Sequence, residues 1–313
     1  MVSRRIKYFN LEKIMKSGQI FRMYEPEDDR FIVYSREKRL EMVQKNDRVD
    51  FMCTSEEFEE YWENYFDLKR DYAAIVEKAI EYNRKVNTPG TAFLRRACEY
   101  GADIRVLKQD IWEMMISFII SQQKQITSIR KCIEALCERF GEKKEDDIDG
   151  SVWYTFPSAE SIVSGGPDGL KGLSLGYRER YIYGTAEKYI RDGIPDEILR
   201  NMPAEEVKKY LCSFSGIGNK VADCICLFGA GFTDAFPIDV HIKEILYREF
   251  FQEDKKKQIE GILLERTGSG ISKKKILDSL SYSEYEVLIE ENFSVFKGVK
   301  GILQQWIFAY EIS

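Results

Sequence analysis

The stretch Leu211-Cys212-Ser213-Phe214-Ser215-Gly216-Ile217-Gly218-Asn219-Lys220-Val221-Ala222-Asp223 decides how this 313-residue chain is read. A helical run from Ala204 precedes it and apolar Cys224 to Phe228 follows, so it reads as helix, tight Gly-x-Gly turn, helix, over about 204–229. Gly216 and Gly218 permit positive φ and close approach by another backbone. The second helix then opens with free N–H groups and the positive end of its dipole, a place suited to phosphate. Gly-x-Gly also serves plain helix packing. Here, however, no strand precedes the turn, which argues against a dinucleotide-binding βαβ unit, and Lys220 follows it at once. Nineteen residues beyond Lys220, the segment Phe236-Pro237-Ile238-Asp239-Val240-His241 places a carboxylate ahead of another helix.

Working outward, the chain beyond about Gly101 reads as amphipathic helices with no strand. Ile126, Ile129, Ile133, Leu136 and Phe140 form one apolar stripe, which Gly141 is placed to end. Gly165-Gly166-Pro167 and Thr267-Gly268-Ser269-Gly270 punctuate the rest, and Lys255-Lys256-Lys257 reads as a solvated face. Toward the start, Gln19 to Phe51 shows short alternating runs such as Phe31-Ile32-Val33-Tyr34, broken by a polar Glu25-Pro26-Glu27-Asp28-Asp29 turn; these are strands. Ser55-Glu56-Glu57-Phe58 begins a helical pattern carrying Tyr61, Trp62, Tyr65 and Phe66, and Thr88-Pro89-Gly90 breaks the next helix. The fold class is therefore α+β: an antiparallel sheet with flanking helices over 1–100, then an all-helical body over 101–313.

Composition bounds the function. With 44% hydrophobic, 13% aromatic and 32% charged residues, the chain has the means to build a large core and none of the marks of disorder. No apolar run approaches the roughly 20 residues of a membrane span, and Met1-Val2-Ser3-Arg4-Arg5 leads into charged sequence. Seven cysteines form an odd set within apolar helical stretches, as buried thiols do. A monomer in a reducing cytoplasm is expected. The net charge of -6 counts against nucleic-acid binding. A protein that grips duplex through backbone amides and a few cations need not be basic overall, and a local groove lined by Arg178, Lys124 and Lys220 would reconcile the two.

From spacing alone, Lys220 reads equally as a phosphate contact, an exposed helix residue or a nucleophile. A nucleophilic lysine needs a neutral amine, which burial near the positive end of a helix favours. Asp239 directly precedes the run Val240 to Phe250, so it reads as an N-cap, and a capping carboxylate is held rigidly enough to stabilise nearby positive charge as well. His241 is the single histidine, which excludes a histidine-rich metal site.

Gly216-Ile217-Gly218-Asn219-Lys220-Val221-Ala222-Asp223-Cys224 and Pro237-Ile238-Asp239-Val240-His241 resemble the helix-hairpin-helix (HhH-GPD) DNA glycosylases, most of all the 8-oxoguanine DNA glycosylases. Ser17-Gly18-Gln19-Ile20-Phe21-Arg22, Ser117-Phe118-Ile119-Ile120-Ser121-Gln122-Gln123 and Leu175-Gly176-Tyr177-Arg178-Glu179-Arg180-Tyr181 extend the similarity over most of the chain. The resemblance implies a TATA-binding-protein-like N-terminal sheet. It also implies excision of an oxidised purine from duplex DNA through a Lys220 Schiff base and β-elimination, with Asp239 as partner. Gly18, Cys224, Gln304 and Phe308 would surround the flipped base. Gln123, Lys124, Gln125, Tyr177, Arg178, Gly216, Gly218 and His241 would contact DNA, Tyr177 as a wedge. Gln304 and Phe308 lie in an apolar helix without distinctive spacing, where core packing is an equal reading.

The sequence departs from the pattern where eukaryotic relatives carry an asparagine run: here it has Gln122-Gln123-Lys124-Gln125, with Ser128 where an arginine would help recognise the opposing cytosine. No cysteine follows Cys226, so the four-cysteine iron–sulfur cluster of the endonuclease III branch cannot be built there, and no cofactor is expected. The resemblance adds a monovalent cation on the carbonyls of Cys212, Phe214 and Ile217. Two alternatives remain: a monofunctional alkylpurine glycosylase, which has no need of Lys220, and a non-catalytic hairpin module that only grips DNA.

Overall fold

A computed structural model describes residues 1–86, 88–146, 150–257, 259–260 and 272–313. The N-terminal part holds five antiparallel strands, β1 (Val2–Arg5), β2 (Met23–Glu27), β3 (Arg30–Ser35), β4 (Lys38–Lys45) and β5 (Arg48–Phe51), in the order β1-β5-β4-β3-β2. Period-two alternation produces the inner face: Phe31 and Val33 pair with Met42 and Leu40, and all four are buried while Ile32 and Tyr34 stay half-buried. The turn expected over 25–29 is shorter. β2 continues through Glu25-Pro26-Glu27 and only Asp28–Asp29 turns; Pro26 is tolerated because β2 is an edge strand with a register irregularity between Tyr24 and Glu27.

Thr54 caps the following helical stretch by accepting from Glu57 N at 3.1 Å, and Trp62, Tyr65 and Phe66 turn into the core. Thr88 caps the Pro89–Gly101 helix through a capping box with Thr91, which explains why the preceding Tyr72–Lys85 helix stops short of it. The Pro89–Gly101 helix packs on Lys300–Glu311: a Cβ on Gly101 would stand 2.5 Å from Trp306, and Phe93 and Tyr100 meet the Tyr310 ring. Residues before 101 and near 313 therefore share one core.

At the centre of the body lies Ile111–Ser121, with Ile111 to Ile120 buried on every side. Ile126–Phe140 follows with the expected stripe inward and Gly141 at its end. One expectation fails. Lys143–Glu145 (β6) and Val152–Tyr154 (β7) form a two-stranded antiparallel ribbon inside the part read as all-helical. Lys255 and Lys257 are exposed, but the solvated face is interrupted by half-buried Lys256, which donates to Arg248 O at 3.1 Å; the Thr267–Gly270 punctuation lies outside the described residues. No helix among the described residues is long and apolar enough to cross a membrane.

Candidate active site

The hairpin forms as its sequence dictates: a helix over Ala204–Leu211, a turn, and a second helix over Asn219–Ile225 that widens to a π turn over Cys226–Ala230. The two glycines differ, contrary to the expectation that both exploit positive φ. Gly216 has φ +81°, and a Cβ there would meet the Tyr181 ring at 2.7 Å. Gly218 is extended (φ -96°, ψ -178°), caps the second helix, and a Cβ there would meet nothing within 4 Å. Its bare backbone opens the start of the helix to a ligand rather than to a neighbour.

Lys220 sits half-buried in the first turn of that helix, its Nζ over the Phe118 ring at 5.4 Å. Phe118 comes from the central buried helix and stacks on Phe228, centroids 5.7 Å apart. One turn on, Cys224 is buried; burial pushes its thiol up to about 11, so it stays protonated beside the lysine. Asp239 caps Val240–Ile245, its carboxylate accepting from Ile242 N at 2.8 Å, with Pro237 and Ile238 buried just before it. The N-cap reading is thus observed directly.

Lys220, Cys224, Asp239, Gly18, Gln304 and Phe308 all line one cavity of about 50 Å³. Gly18 enters from the loop after Leu11–Lys16, and the other two come from Lys300–Glu311. The apolar C-terminal helix, which offered core packing as an equal reading, packs in the core and also lines this cavity. Gln304 is buried yet lines the cavity, and its Oε1 receives no hydrogen bond from the described residues. Gln305, unanticipated in the sequence, donates from Nε2 to the Ser17 carbonyl at 2.7 Å and so ties the helix to the Gly18 loop. Phe118, Phe228 and Gln305 also border the cavity. The paired glutamines were the one available signal for Gln305, since an amide buried in an apolar helix calls for a partner or a ligand. His241 is exposed at the rim, its ring 6.2 Å from that of Phe308.

Three loops meet beside the hairpin. Gln122 donates to the Gly216 carbonyl at 2.9 Å, and Lys124 donates to Ser174 O at 2.8 Å. Gln123, at φ +52°, and Gln125 are exposed. Tyr177 is 44% exposed and edge-on to Tyr181. Arg178 turns the other way. It is buried, donating to Leu175 O at 3.0 Å and to Gln122 O, so it braces two loops from within rather than lining a groove. At the hairpin turn, the Phe214 carbonyl accepts from Ile217 N at 3.2 Å. Among the described residues, no group of three His, Cys, Asp or Glu side chains is arranged to hold a metal.

Comparison with known proteins matches both parts of the chain. Residues 1–115 match the family model for the 8-oxoguanine DNA glycosylase N-terminal domain, and residues 116–268 match that for HhH-GPD superfamily base excision DNA repair proteins. The chain is 31% identical to N-glycosylase/DNA lyase of Saccharomyces cerevisiae over 64% of its own length and 56% of the yeast protein's, and it spans about that share or less of the first curated relatives. Among solved structures, MBOgg1 in complex with a low-affinity DNA ligand superposes with a TM-score of 0.80 at 31% identity, covering 99% of this chain and 94% of that one. The Clostridium acetobutylicum 8-oxoguanine glycosylase/lyase bound to DNA with cytosine opposite 8-oxoguanine gives 0.78 at 28%, covering 98% and 93%. A 3-methyladenine glycosylase from Archaeoglobus fulgidus, at 19% identity and 0.68, shares the fold alone. On the strength of hairpin, sheet and these full-length matches, the chain belongs to the 8-oxoguanine DNA glycosylase family of the HhH-GPD superfamily.

Proposed function

We propose that the protein is a bifunctional DNA glycosylase and lyase that removes 8-oxoguanine from duplex DNA. The observation that carries this reading is the convergence of Lys220, Asp239, Cys224, Gly18, Gln304 and Phe308 on one cavity. A base within a duplex cannot reach such a cavity, so it must leave the stack at a cost of about a few kcal/mol. Exposed Tyr177 is suited to fill the gap it leaves. The Gly18 carbonyl accepts the N7–H that distinguishes 8-oxoguanine from guanine, Gln304 Oε1 accepts from the Watson–Crick edge, and Phe308 stacks on the ring.

In the chemical step the Lys220 amine attacks C1′ and the bond to the base breaks, its electron pair leaving with the base. Asp239 stabilises the positive charge that develops on the sugar. Ring opening gives a Schiff base; loss of a C2′ proton then expels the 3′ phosphate by β-elimination. The hairpin's open Gly218 backbone and His241 hold phosphates near the lesion. The carbonyls of Cys212, Phe214 and Ile217 would hold a monovalent cation that steadies the turn, with Phe214 O sharing its lone pairs with Ile217 N. No chemical step requires that ion. The substitutions at Gln122–Gln125 and Ser128 leave cytosine opposite the lesion with fewer fixed donors, so discrimination for it is looser.

Borohydride trapping tests the reading. Wild type with a duplex carrying 8-oxoguanine gives a covalent protein–DNA complex, and Lys220→Gln abolishes it. Base release without any trapped complex would refute the lyase assignment, and binding without base release would refute both activities.

A further inference from the structure

On the far side of the β1 edge, a second cavity of about 300 Å³ is lined by Arg4, Arg5, Lys7, Arg70 and Arg105 against two carboxylates, Glu63 and Asp71. This is an excess of positive charge on a chain whose net charge is -6. Its floor is Arg105, which is buried and lies over the Tyr72 ring at 4.4 Å. Every hydrogen bond that Arg105 makes goes to a main-chain carbonyl: Nε to Tyr8 O at 3.2 Å, Nη1 to Asp67 O at 2.7 Å and Arg70 O at 3.2 Å, and Nη2 to Lys7 O at 3.3 Å. Carbonyls satisfy its donors but do not cancel its charge, and a buried ion ordinarily has a counter-ion. The nearest buried carboxylate, Asp67, is already paired with Arg70 at 2.6 Å and Lys108 at 2.8 Å. Burial pulls the Arg105 guanidinium below its ordinary value, with Arg70 adding to this, and the opposing pull of Tyr72, Asp67 and Asp71 does not restore it.

The backbone around Arg105 is held unusually as well. Tyr8 (φ +54°) and Asp67 (φ +49°), two of the residues whose carbonyls it collects, lie in the left-handed region that non-glycine residues rarely adopt. Such strain persists where the surroundings over-determine it and is frequent at ligand clamps. Solvated arginines on an edge strand account for Arg4 and Arg5, and Arg5 pairs with Asp47 at 3.4 Å. They do not account for a buried, carbonyl-clasped guanidinium facing the same cavity.

We infer that this cavity is a binding site for closely spaced phosphates, distinct from the base cavity, with Arg105 as its fixed floor and Arg4, Arg5 and Lys7 as its mobile rim. The anion adds the counter-charge that Glu63, Asp67 and Asp71 supply only in part. The Arg105 carbonyl accepts from Gln19 Nε2 at 2.9 Å, and Gln19 adjoins Gly18, so one hydrogen bond links the two sites.

The probe is inorganic tripolyphosphate, titrated calorimetrically into the whole protein at constant ionic strength, with sulfate as control. Saturable one-to-one binding is expected. In the double variant Arg4→Ala/Lys7→Ala, both exposed positions, affinity should fall about a hundredfold, on the order of tenfold per charged contact, at unchanged melting temperature. Absence of saturable binding, or equal affinity in the double variant, overturns the site. If undamaged duplex displaces tripolyphosphate from wild type, the phosphates are those of DNA; if it does not displace it, they belong to a free oligophosphate. Either result upholds the site and identifies its source.

Discussion

The ring of Phe308 rests where a side chain on Gly18 would begin: a Cβ there would lie 2.9 Å from Phe308 Cε1. Gly18 also has φ +80°, so conformation and space both require glycine at this point. Gly18→Ala is expected to lose about 1–2 kcal/mol of stability and to push the ring across the cavity. Denaturant unfolding and single-turnover excision of 8-oxoguanine check it. A wild-type excision rate in this variant would show that the contact does not shape the base site.

Asp239 can be divided into its two roles. Asparagine caps helices as well as aspartate does, so Asp239→Asn should unfold within about 0.5 kcal/mol of wild type, whereas Asp239→Ala should lose about 1 kcal/mol. If the carboxylate also stabilises the sugar cation, the asparagine variant should excise about 10²–10³-fold more slowly despite its intact cap. Full activity in Asp239→Asn would reduce the residue to a cap.

Gln304 carries a buried oxygen without a donor among the described residues, a cost the fold bears on its own. Gln304→Leu removes that oxygen at similar volume, so the protein should be as stable or gain about 1 kcal/mol while excision falls at least tenfold. Loss of stability without loss of activity would mean that the glutamine serves packing alone.

Glu113 offers a pH signature remote from the chemistry. Burial raises its carboxyl to about 7 from the ordinary 4.5, and it accepts from Arg36 N at 3.2 Å. Between these values the unfolded chain has released the proton and the folded chain retains it. This contribution to stability is therefore complete below about pH 4.5 and is lost as pH rises toward 7, by roughly 3 kcal/mol. Glu113→Gln keeps the acceptor but cannot titrate, so its stability should be flatter over that window. Parallel slopes in the two proteins would remove Glu113 from the account.

What the sequence reveals follows from how local each signal is. The hairpin, Lys220 and the Asp239 cap could be read because turn chemistry and capping act over three or four residues. Phe118 escaped notice because its helix is apolar all round, and such a helix has no periodicity to mark one face as special. Arg178 misled because its burial depends on a carbonyl at Gln122, distant in sequence, while its neighbour Tyr177 does face solvent. The β6–β7 ribbon has three residues a side and little apolar alternation, so only cross-strand pairing reveals it.

The base cavity draws on Gly18 at one extreme and on Phe308 at the other, with Lys220 between. During synthesis, a ribosome-bound chain that has exposed its hairpin and its lysine still lacks the wall that closes the cavity. The order of translation therefore sets the order of assembly: Lys220 emerges well before Gln304 and Phe308, which share its cavity. The cavity is complete only once residues 300–311 have docked against 89–101.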